Sequence, residues 1–403
     1  MWSVKKLLYR LAHLLMGFMV KRLEVPIPEL LRGAGSVKQL PEAIKTTGVS
    51  KLLLVSDQGI TSLGLPDGLV EALQGAGMAS VVFDGVQPNP TIDNIEAGLK
   101  VYNDEQCDGI IAFGGGSVMD CAKMIGARAT NPDKSVLDMR GGFKIKNGLP
   151  PLFAVPTTAG TGSECTLAAV VSNPQEREKF SVASLEIVPT HAVLDPELML
   201  GLPPHITAHT GMDALTHAVE SYIGRLVTPF TEENSEKAVK IIFEDLESVY
   251  QNGSDEEKRS NLAYASYCAG LAFTRALVGY VHAIAHNLGG LYGVPHGLAN
   301  AIVLPYILEF SKEDCRDRLA RLAVVGGLGD SNDPAQVLAD RFIEKVKEMN
   351  RNMDVPSQVA ELKEEDISFI AKRALSEGNP GYPVPTLMNQ SQCEAILRQM
   401  LPR

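Results

Sequence analysis

The sequence predicts an α/β domain with a parallel sheet, followed by an all-helical domain. In the first half of the chain, short runs of leucine and β-branched residues alternate with amphipathic stretches. Strands that alternate with helices form parallel sheets. The runs that we interpret as strands are residues 51–55, 80–83, 109–113 and 152–155.

The character of the chain changes after Leu202-Pro203-Pro204, where long helical segments replace the β-branched runs. Glycine-containing turns separate these later segments. We therefore place a domain boundary near Pro204. The expected parts are a helical extension over residues 1–26, an α/β domain over residues 27–203 and an all-helical domain over residues 204–403.

Composition narrows the class of protein and its compartment. The 403 residues are 45% hydrophobic and 21% charged, which is typical of a soluble globular protein. A net charge of -11 without a basic cluster argues against a nucleic acid partner. Six scattered cysteines with no CxxC pair indicate free thiols in a reducing compartment, so we expect a cytoplasmic protein.

Residues 1–22 are predicted to form an amphipathic helix, because apolar residues recur at helical spacing between several lysines and arginines. Arg10 and His13 interrupt the apolar run, and no small-residue cleavage site follows it. Three interpretations stay open: a helix docked on the protein or on a sister subunit, weak contact with a membrane surface through residues 1–22, and a signal peptide.

A triple-glycine turn lies between the predicted strand at 109–113 and a predicted helix, and Ser117 and Asp120 follow it at the spacing of a capping box. Glycines let the backbone approach a ligand, and a helix N-terminus attracts a pyrophosphate. The turn therefore predicts a dinucleotide site in the α/β domain. Because the GxGxxG spacing is absent, a plain tight turn remains the alternative.

Two further segments fit a nucleotide site. Asp57 ends the predicted strand at 51–55, where a carboxylate accepts hydrogen bonds from ribose hydroxyls and disfavours NADP. The alternative for Asp57 is a helix N-cap. A hydroxyl-rich turn over residues 156–164 contains Thr157, Thr158 and Thr161, which are suited to a sugar or phosphate or to capping their own helix.

Histidines concentrate between residues 205 and 296. Asp213 and His217 stand four residues apart, as do His282 and His286, so each pair lies on one side of a helix. His296 follows a proline that predicts a helix break. Imidazoles with one carboxylate and no thiolate suit catalytic Fe²⁺ or Zn²⁺. Spacing leaves open whether His282, His286 or both are ligands, and hydrogen-bonded core histidines are the alternative.

Taken together, four ordered segments resemble the iron-containing (group III) alcohol dehydrogenase family. The similarity runs from about residue 27 to about residue 300 and more loosely to the end. It implies an N-terminal nucleotide-binding domain, an all-helical metal-binding domain and an active site in the cleft between them. The segments are residues 114–123, 156–164, 211–220 and 282–296.

The resemblance also implies a role for individual residues. The metal ligands are Asp213, His217, His282 and His296, and His286 is left as an unligated catalytic histidine near the substrate. The residues expected to contact the cofactor are the pyrophosphate loop Gly114, Gly115, Gly116 and Ser117, the neighbouring Asp120, the ribose-reading Asp57, and Asn89, Thr157, Thr158, Thr161 and Lys179.

The expected function is therefore a metal-dependent, NAD-linked alcohol dehydrogenase for a small primary alcohol or diol and its aldehyde. We expect Fe²⁺, with Zn²⁺ or another divalent ion as an alternative, and a homodimer or larger homo-oligomer. Thr274-Arg275 departs from the serine and asparagine common in this family, so the resemblance leaves the choice of substrate open. The rival functions are a non-redox metal enzyme similar to dehydroquinate synthase and a silent nucleotide-binding interaction protein.

Overall fold

The fold is that of a computed structural model, which describes residues 2–20, 22–176 and 178–402. By the density of its internal contacts, the chain divides into two compact units. One unit comprises Val25–Leu202 and Ser254–Tyr267, and we call it the sheet unit. The other, the helical unit, comprises Met1–Glu24, Pro203–Gly253 and Cys268–Arg403.

A parallel six-stranded sheet forms the centre of the sheet unit, as the alternating pattern predicted. All four predicted strands are present, with ends within one residue of the expected ones. In spatial order the strands are β1 (Glu29–Arg32), β9 (His191–Leu194), β6 (Leu152–Pro156), β4 (Gly109–Gly114), β2 (Lys51–Val55) and β3 (Ala79–Phe83). A smaller sheet contains β5 (Gly141–Gly142), β8 (Glu178–Ala183) and β7 (Ala168–Asn173).

Both faces of the large sheet are buried by helices. Leu53 and Val55 of β2 belong to one apolar core, and the alternate residues Leu52 and Leu54 belong to another. This alternation follows from the two-residue side-chain period of a strand. The α-helices within Val25–Leu202 are α2 (Leu40–Lys45), α3 (Gln58–Ser62), α4 (Asp67–Gly75), α5 (Ile92–Asp104) and α6 (Gly116–Thr130).

The strand order reverses between β2 and β4. From β2 the chain continues outward to β3, then returns to β4 on the other side of β2 and proceeds through β6 to β9. In open parallel sheets, ligands bind at such a reversal, beyond the carboxyl ends of the strands. The Asp57 turn after β2 and the glycine turn after β4 both lie at this position.

The predicted helical half is confirmed, since every regular element within the described residues 203–402 is a helix. The first part of α9, up to Tyr267, belongs to the sheet unit by its contacts. The helices are α7 (Pro204–Ile223), α8 (Pro229–Gln251), α9 (Glu256–Ala276), α10 (Tyr280–Tyr292), α11 (His296–Val325), α12 (Ala335–Asn352), α13 (Ile367–Gly378) and α14 (Gln390–Gln399).

The predicted N-terminal helix is confirmed as α1 (Trp2–Val20), and one side of it packs on the helical unit. Arg10 donates a hydrogen bond to the carbonyl of Val384 over 2.7 Å, and His13 is buried. Burial, together with the charges of Arg10 and Arg225, lowers the pKa of His13 to about 4, so this ring is neutral near pH 7. The opposite side, which we call the apolar face of α1, consists of Val4, Leu7, Leu8, Leu11, Leu14, Leu15 and Phe18.

Taken singly, none of the described helices has the length and apolar content needed to cross a bilayer. The bent pair of α9 and α10, which meet at 104°, satisfies that test of length and composition only when both are counted together.

Candidate active site

Four predicted metal ligands converge in the helical unit. One ligand atom from each of Asp213, His217, His282 and His296 lies within 4.8 Å of the other three. Helix α7 carries the first two, α10 carries His282, and His296 is the first residue of α11. The helix break expected before His296 is present, because α10 ends at a left-handed Gly293 (φ 73°).

The acceptor atoms of this cluster point toward one position. The amide nitrogen Nδ2 of Asn300 lies 2.6 Å from Oδ1 of Asp213 and 3.2 Å from Nε2 of both His282 and His296. Its partner atom, Oδ1 of Asn300, is buried and has no hydrogen-bond partner in the described part of the chain. These acceptor atoms surround the amide group of Asn300 in the way that ligand atoms surround a metal cation.

The chemistry of the donor set fits a divalent transition metal. Three imidazoles and one carboxylate, without thiolate, are the ligands that Fe²⁺ and Zn²⁺ accept in catalytic sites. Metal binding requires neutral imidazole. Burial, followed by the neighbouring histidines, lowers the pKa of His282 well below its usual value, so the ring is neutral at physiological pH.

Glu220 supports the cluster from behind His282. Its carboxylate accepts a hydrogen bond from Nδ1 of His282 over 2.6 Å and from the backbone N–H groups of Gly279 and Val281 over 2.8 Å each. Burial raises the pKa of Glu220 to about 7, whereas these hydrogen bonds favour the ionised form. A cation on the far side of the imidazole would stabilise that buried carboxylate, as in carboxylate–histidine–metal triads.

His286 lies beside the cluster rather than in it. Its ring stacks on that of His296 with 5.3 Å between centroids, and its Nδ1 lies 2.7 Å from Oε1 of Glu377. The hydroxyl of Tyr382 donates to the same oxygen over 2.7 Å. Burial would raise the pKa of Glu377, but the charge and hydrogen bond of His286 and the hydrogen bond of Tyr382 outweigh it, so the pKa is lowered.

In the sheet unit, the predicted pyrophosphate loop packs against the predicted threonine turn. Gly114 accepts a hydrogen bond from the backbone of Thr157 over 3.1 Å, and the position of a Cβ at Gly115 lies 3.6 Å from Oγ1 of Thr158. A Cβ at Gly116 would lie 2.7 Å from Cγ2 of Thr161, so only glycine permits this approach.

Asn89 and Lys179 are connected to the pyrophosphate loop by hydrogen bonds. The backbone N–H of Asn89 donates to Oγ of Ser117 over 3.1 Å, and its side-chain oxygen accepts from Nζ of Lys179 over 2.8 Å. Helix α6 begins at Gly116 with Gly115 as its N-cap, so the capping box expected from Ser117 and Asp120 is wrong. The helix therefore begins two residues earlier than a Ser117 cap would place it.

Asp57 and Asp120 differ in their surroundings. Asp57 follows β2 beside the end of β4, is half-buried, and caps α3 by accepting from the N–H of Ile60 over 3.0 Å. Its second oxygen is not engaged by that cap. Asp120 lies one turn into α6, where its carboxylate accepts from Ser163 over 2.9 Å and from the backbone of Val170 over 3.0 Å. It therefore fixes the neighbouring segment.

Three functional candidates were missed by sequence reasoning: Glu220, Asn300 and Glu377. The first two carry a local signal, because Glu220 follows His217 by three residues on α7 and Asn300 follows His296 by four on α11. Glu377 has no such signal. It is 91 residues from His286, and only the packing of α10 with α13 brings them together.

Comparison with known proteins agrees with this architecture. A family model described as "Iron-containing alcohol dehydrogenase" matches residues 28–196, and one described as "Fe-containing alcohol dehydrogenase family, C-terminal" matches residues 207–401. The two matched families and the cluster of four candidate metal ligands place the chain in the class of metal-dependent oxidoreductases. The chain belongs to the iron-containing alcohol dehydrogenase family and is an alcohol dehydrogenase, which confirms the expected family and activity.

Individual relatives extend over nearly the whole chain. The 1,3-propanediol dehydrogenase of Klebsiella pneumoniae is 38% identical over 91% of this chain and 95% of the relative. The NAD-dependent methanol dehydrogenase of Bacillus methanolicus is 37% identical over 87% of this chain and 92% of the relative. The crystal structure of a 1,3-propanediol oxidoreductase superposes with a TM-score of 0.90 and covers 94% of this chain and 99% of that one. The two sequences are 37% identical.

Proposed function

We propose that the enzyme uses NAD and a divalent metal, Fe²⁺ foremost, to interconvert a small primary alcohol or diol and its aldehyde. The observation that carries this proposal is the convergence of Asp213, His217, His282 and His296 within 4.8 Å. The similarity to a 1,3-propanediol dehydrogenase and to an NAD-dependent methanol dehydrogenase supports the substrate class and the cofactor.

The four ligands set the electrostatics of the site. A bound divalent ion supplies Lewis acidity that polarises the oxygen of the alcohol or aldehyde. Asp213 is the one anionic ligand, so the set leaves a divalent site with net positive charge. His296, whose side chain is 35% exposed, marks the side from which a substrate enters, since Asp213 and His282 are buried.

His286 is the group that moves the substrate proton. Glu377 holds Nδ1, which leaves Nε2 to accept the hydroxyl proton during oxidation and to return it during reduction. The side chain of His286 is 27% exposed, so the proton can pass on to water. A carboxylate behind an imidazole fixes the orientation and the tautomer of the ring.

In the sheet unit, Gly114, Gly115, Gly116 and Ser117 bind the pyrophosphate of NAD at the N-terminus of α6. Asp57 accepts hydrogen bonds from the ribose hydroxyls while it caps α3, so its two roles are compatible. The threonine turn, Asn89 and Lys179 complete the cofactor site. Asp120 acts on it indirectly, through the segment that it fixes.

The deciding experiment is anaerobic purification with metal analysis, followed by a panel of alcohols, diols and aldehydes with NAD(H) and NADP(H). Stoichiometric NADH formed from simple alcohols supports the proposal. A protein that binds the metal and NAD but forms no NADH from any alcohol would instead support the non-redox alternative. Purified protein that turns over fully after exhaustive metal removal would contradict the proposal.

The proposed location is the cytoplasm, and the proposed assembly is a homodimer or larger homo-oligomer. Within the described residues no disulfide joins any of the six cysteines, and all six are buried, which is consistent with a reducing compartment. Burial raises the pKa of Cys121, Cys315 and Cys393, so these thiols are poor nucleophiles. Light scattering on the purified protein measures the assembly directly.

A further inference from the structure

The apolar face of α1 is unusual because the helix is fixed in place with this face outward. Its seven side chains are between 52% and 71% exposed. At about 100° per residue, they occupy an arc of roughly 120° on one side of the helix. An arc of this width is normally the side that a helix buries.

The opposite side of α1 is the anchored one. Arg10 is held by the carbonyls of Val384 and Pro385, and His13 is buried. Gly17 lies against Leu226, because a Cβ there would be 3.2 Å from that leucine. The helix therefore cannot turn to bury its apolar face without giving up these contacts.

The charge around the apolar face identifies its partner. Residues 1–23 contain five basic side chains and no acidic one, although the whole chain has a net charge of -11. Lys5 lies about 60° beyond one edge of the apolar arc, and the guanidinium of Arg22 lies 5.2 Å from the ring centroid of Phe18. Cations thus border the apolar surface at the height where lipid headgroups lie around an interfacial helix.

We propose that the apolar face of α1 inserts into the surface of an anionic lipid membrane, with the helix lying in the plane of the interface. The exposed leucines and Phe18 enter the acyl boundary, and Lys5 and Arg22 contact the headgroup phosphates. A second copy of α1 fits less well, because it would bring together two helices whose charged side chains are all basic. The cytoplasmic leaflet carries anionic lipids and is the matching surface.

The test is flotation of the full-length protein with vesicles of phosphatidylcholine, with or without phosphatidylglycerol. Wild type should float with the anionic vesicles, and high salt should weaken this binding. The double variant Leu7→Glu/Leu14→Glu should bind at least about tenfold more weakly. Both positions are highly exposed, so the fold should be retained.

A matched control is Val337→Glu/Phe369→Glu, which changes two exposed apolar residues on α12 and α13 and should bind as wild type does. Both double variants should keep alcohol oxidation in vesicle-free solution, which separates this proposal from the enzymatic one. Wild type that does not float, or a Leu7→Glu/Leu14→Glu variant that floats as wild type does, overturns the proposal. If wild type does not float, and its mass in solution is that of an oligomer that dissociates in the Leu7→Glu/Leu14→Glu variant, the apolar face of α1 binds a second copy of the chain instead.

Discussion

Glu220 and His282 form a buried pair in which Nδ1 of the imidazole lies 2.6 Å from Oε2 of the carboxylate. This contact fixes which ring nitrogen faces the cluster, because Nε2 is then directed toward Asn300, 3.2 Å away, among the other ligands. Orientation of this kind raises the basicity of a metal-binding imidazole. The behaviour of the site should therefore depend on Glu220 although it is not a ligand.

Glu220→Gln should weaken metal binding by about 10- to 100-fold, because the amide keeps the shape but loses the charge that orients His282. Metal content after dialysis against a graded chelator series measures the effect. Glu244→Gln, an exposed acid on α8, is the control and should retain wild-type metal content. Equal metal retention in both variants would mean that Glu220 serves only to cap the start of α10.

The two histidines on α10 should respond differently to alanine. His282→Ala should abolish metal binding and turnover, because His282 supplies one of the four converging atoms. His286→Ala should retain the metal and lose activity only in part, because its ring lies beside the cluster. Metal analysis and kcat on the same preparations check both outcomes. Metal loss in the His286 variant, with retention in the His282 variant, would reverse the assignment.

Glu377→Gln tests the group behind His286. We expect kcat to fall by about tenfold or more, with KM and metal content unchanged, because the amide no longer orients and supports the imidazole. Tyr382→Phe should change kcat in the same direction but less, since it removes one hydrogen bond to Glu377. Glu365→Gln, an exposed acid ahead of α13, is the control. A rise in KM at constant kcat would indicate a substrate contact instead.

Removal of the metal should abolish turnover, and re-addition of Fe²⁺ under anaerobic conditions should restore it. Imidazole and carboxylate ligands accept several divalent ions, and Zn²⁺ binds more tightly than Fe²⁺ in the Irving–Williams order. Zinc should therefore displace iron during incubation, and air should inactivate the iron-loaded enzyme. Metal content measured alongside activity separates displacement from unfolding. Turnover that is indifferent to chelator and air would contradict the assignment.

Features of the fold and of the site could be predicted from the sequence where the interacting residues are close together along the chain. Strands such as Lys51–Val55 were found because a buried parallel strand is a continuous apolar run. Spacing paired Asp213 with His217, but the choice of His282 over His286 required the family resemblance. The start of α6 was misjudged because serine is a common cap, whereas Gly115 holds that position here. Glu377 is placed by the packing of two distant helices, which no local pattern records.

The last prediction concerns Asp57 and the choice of cofactor. Asp57 stands where the strand order reverses, and no basic residue accompanies it in residues 56–59. A carboxylate there accepts hydrogen bonds from ribose hydroxyls but repels the 2′-phosphate of NADP, so wild type should prefer NAD. Asp57→Gly removes the repulsion without adding an attraction. We expect the ratio of kcat/KM for NADP to that for NAD to rise by about tenfold, with a modest loss of NAD use.

A helix cap alone predicts a different result. Asp57 caps α3 through Ile60, so its replacement by glycine also weakens that helix start. Asp57→Asn separates the two roles, because asparagine caps a helix as well as aspartate but carries no charge. If charge controls the cofactor, Asp57→Asn should shift the kcat/KM ratio toward NADP while thermal stability stays near that of wild type. A ratio that moves in neither variant, or a wild type that prefers NADP, would mean that the ribose is recognised elsewhere and that Asp57 is only a cap.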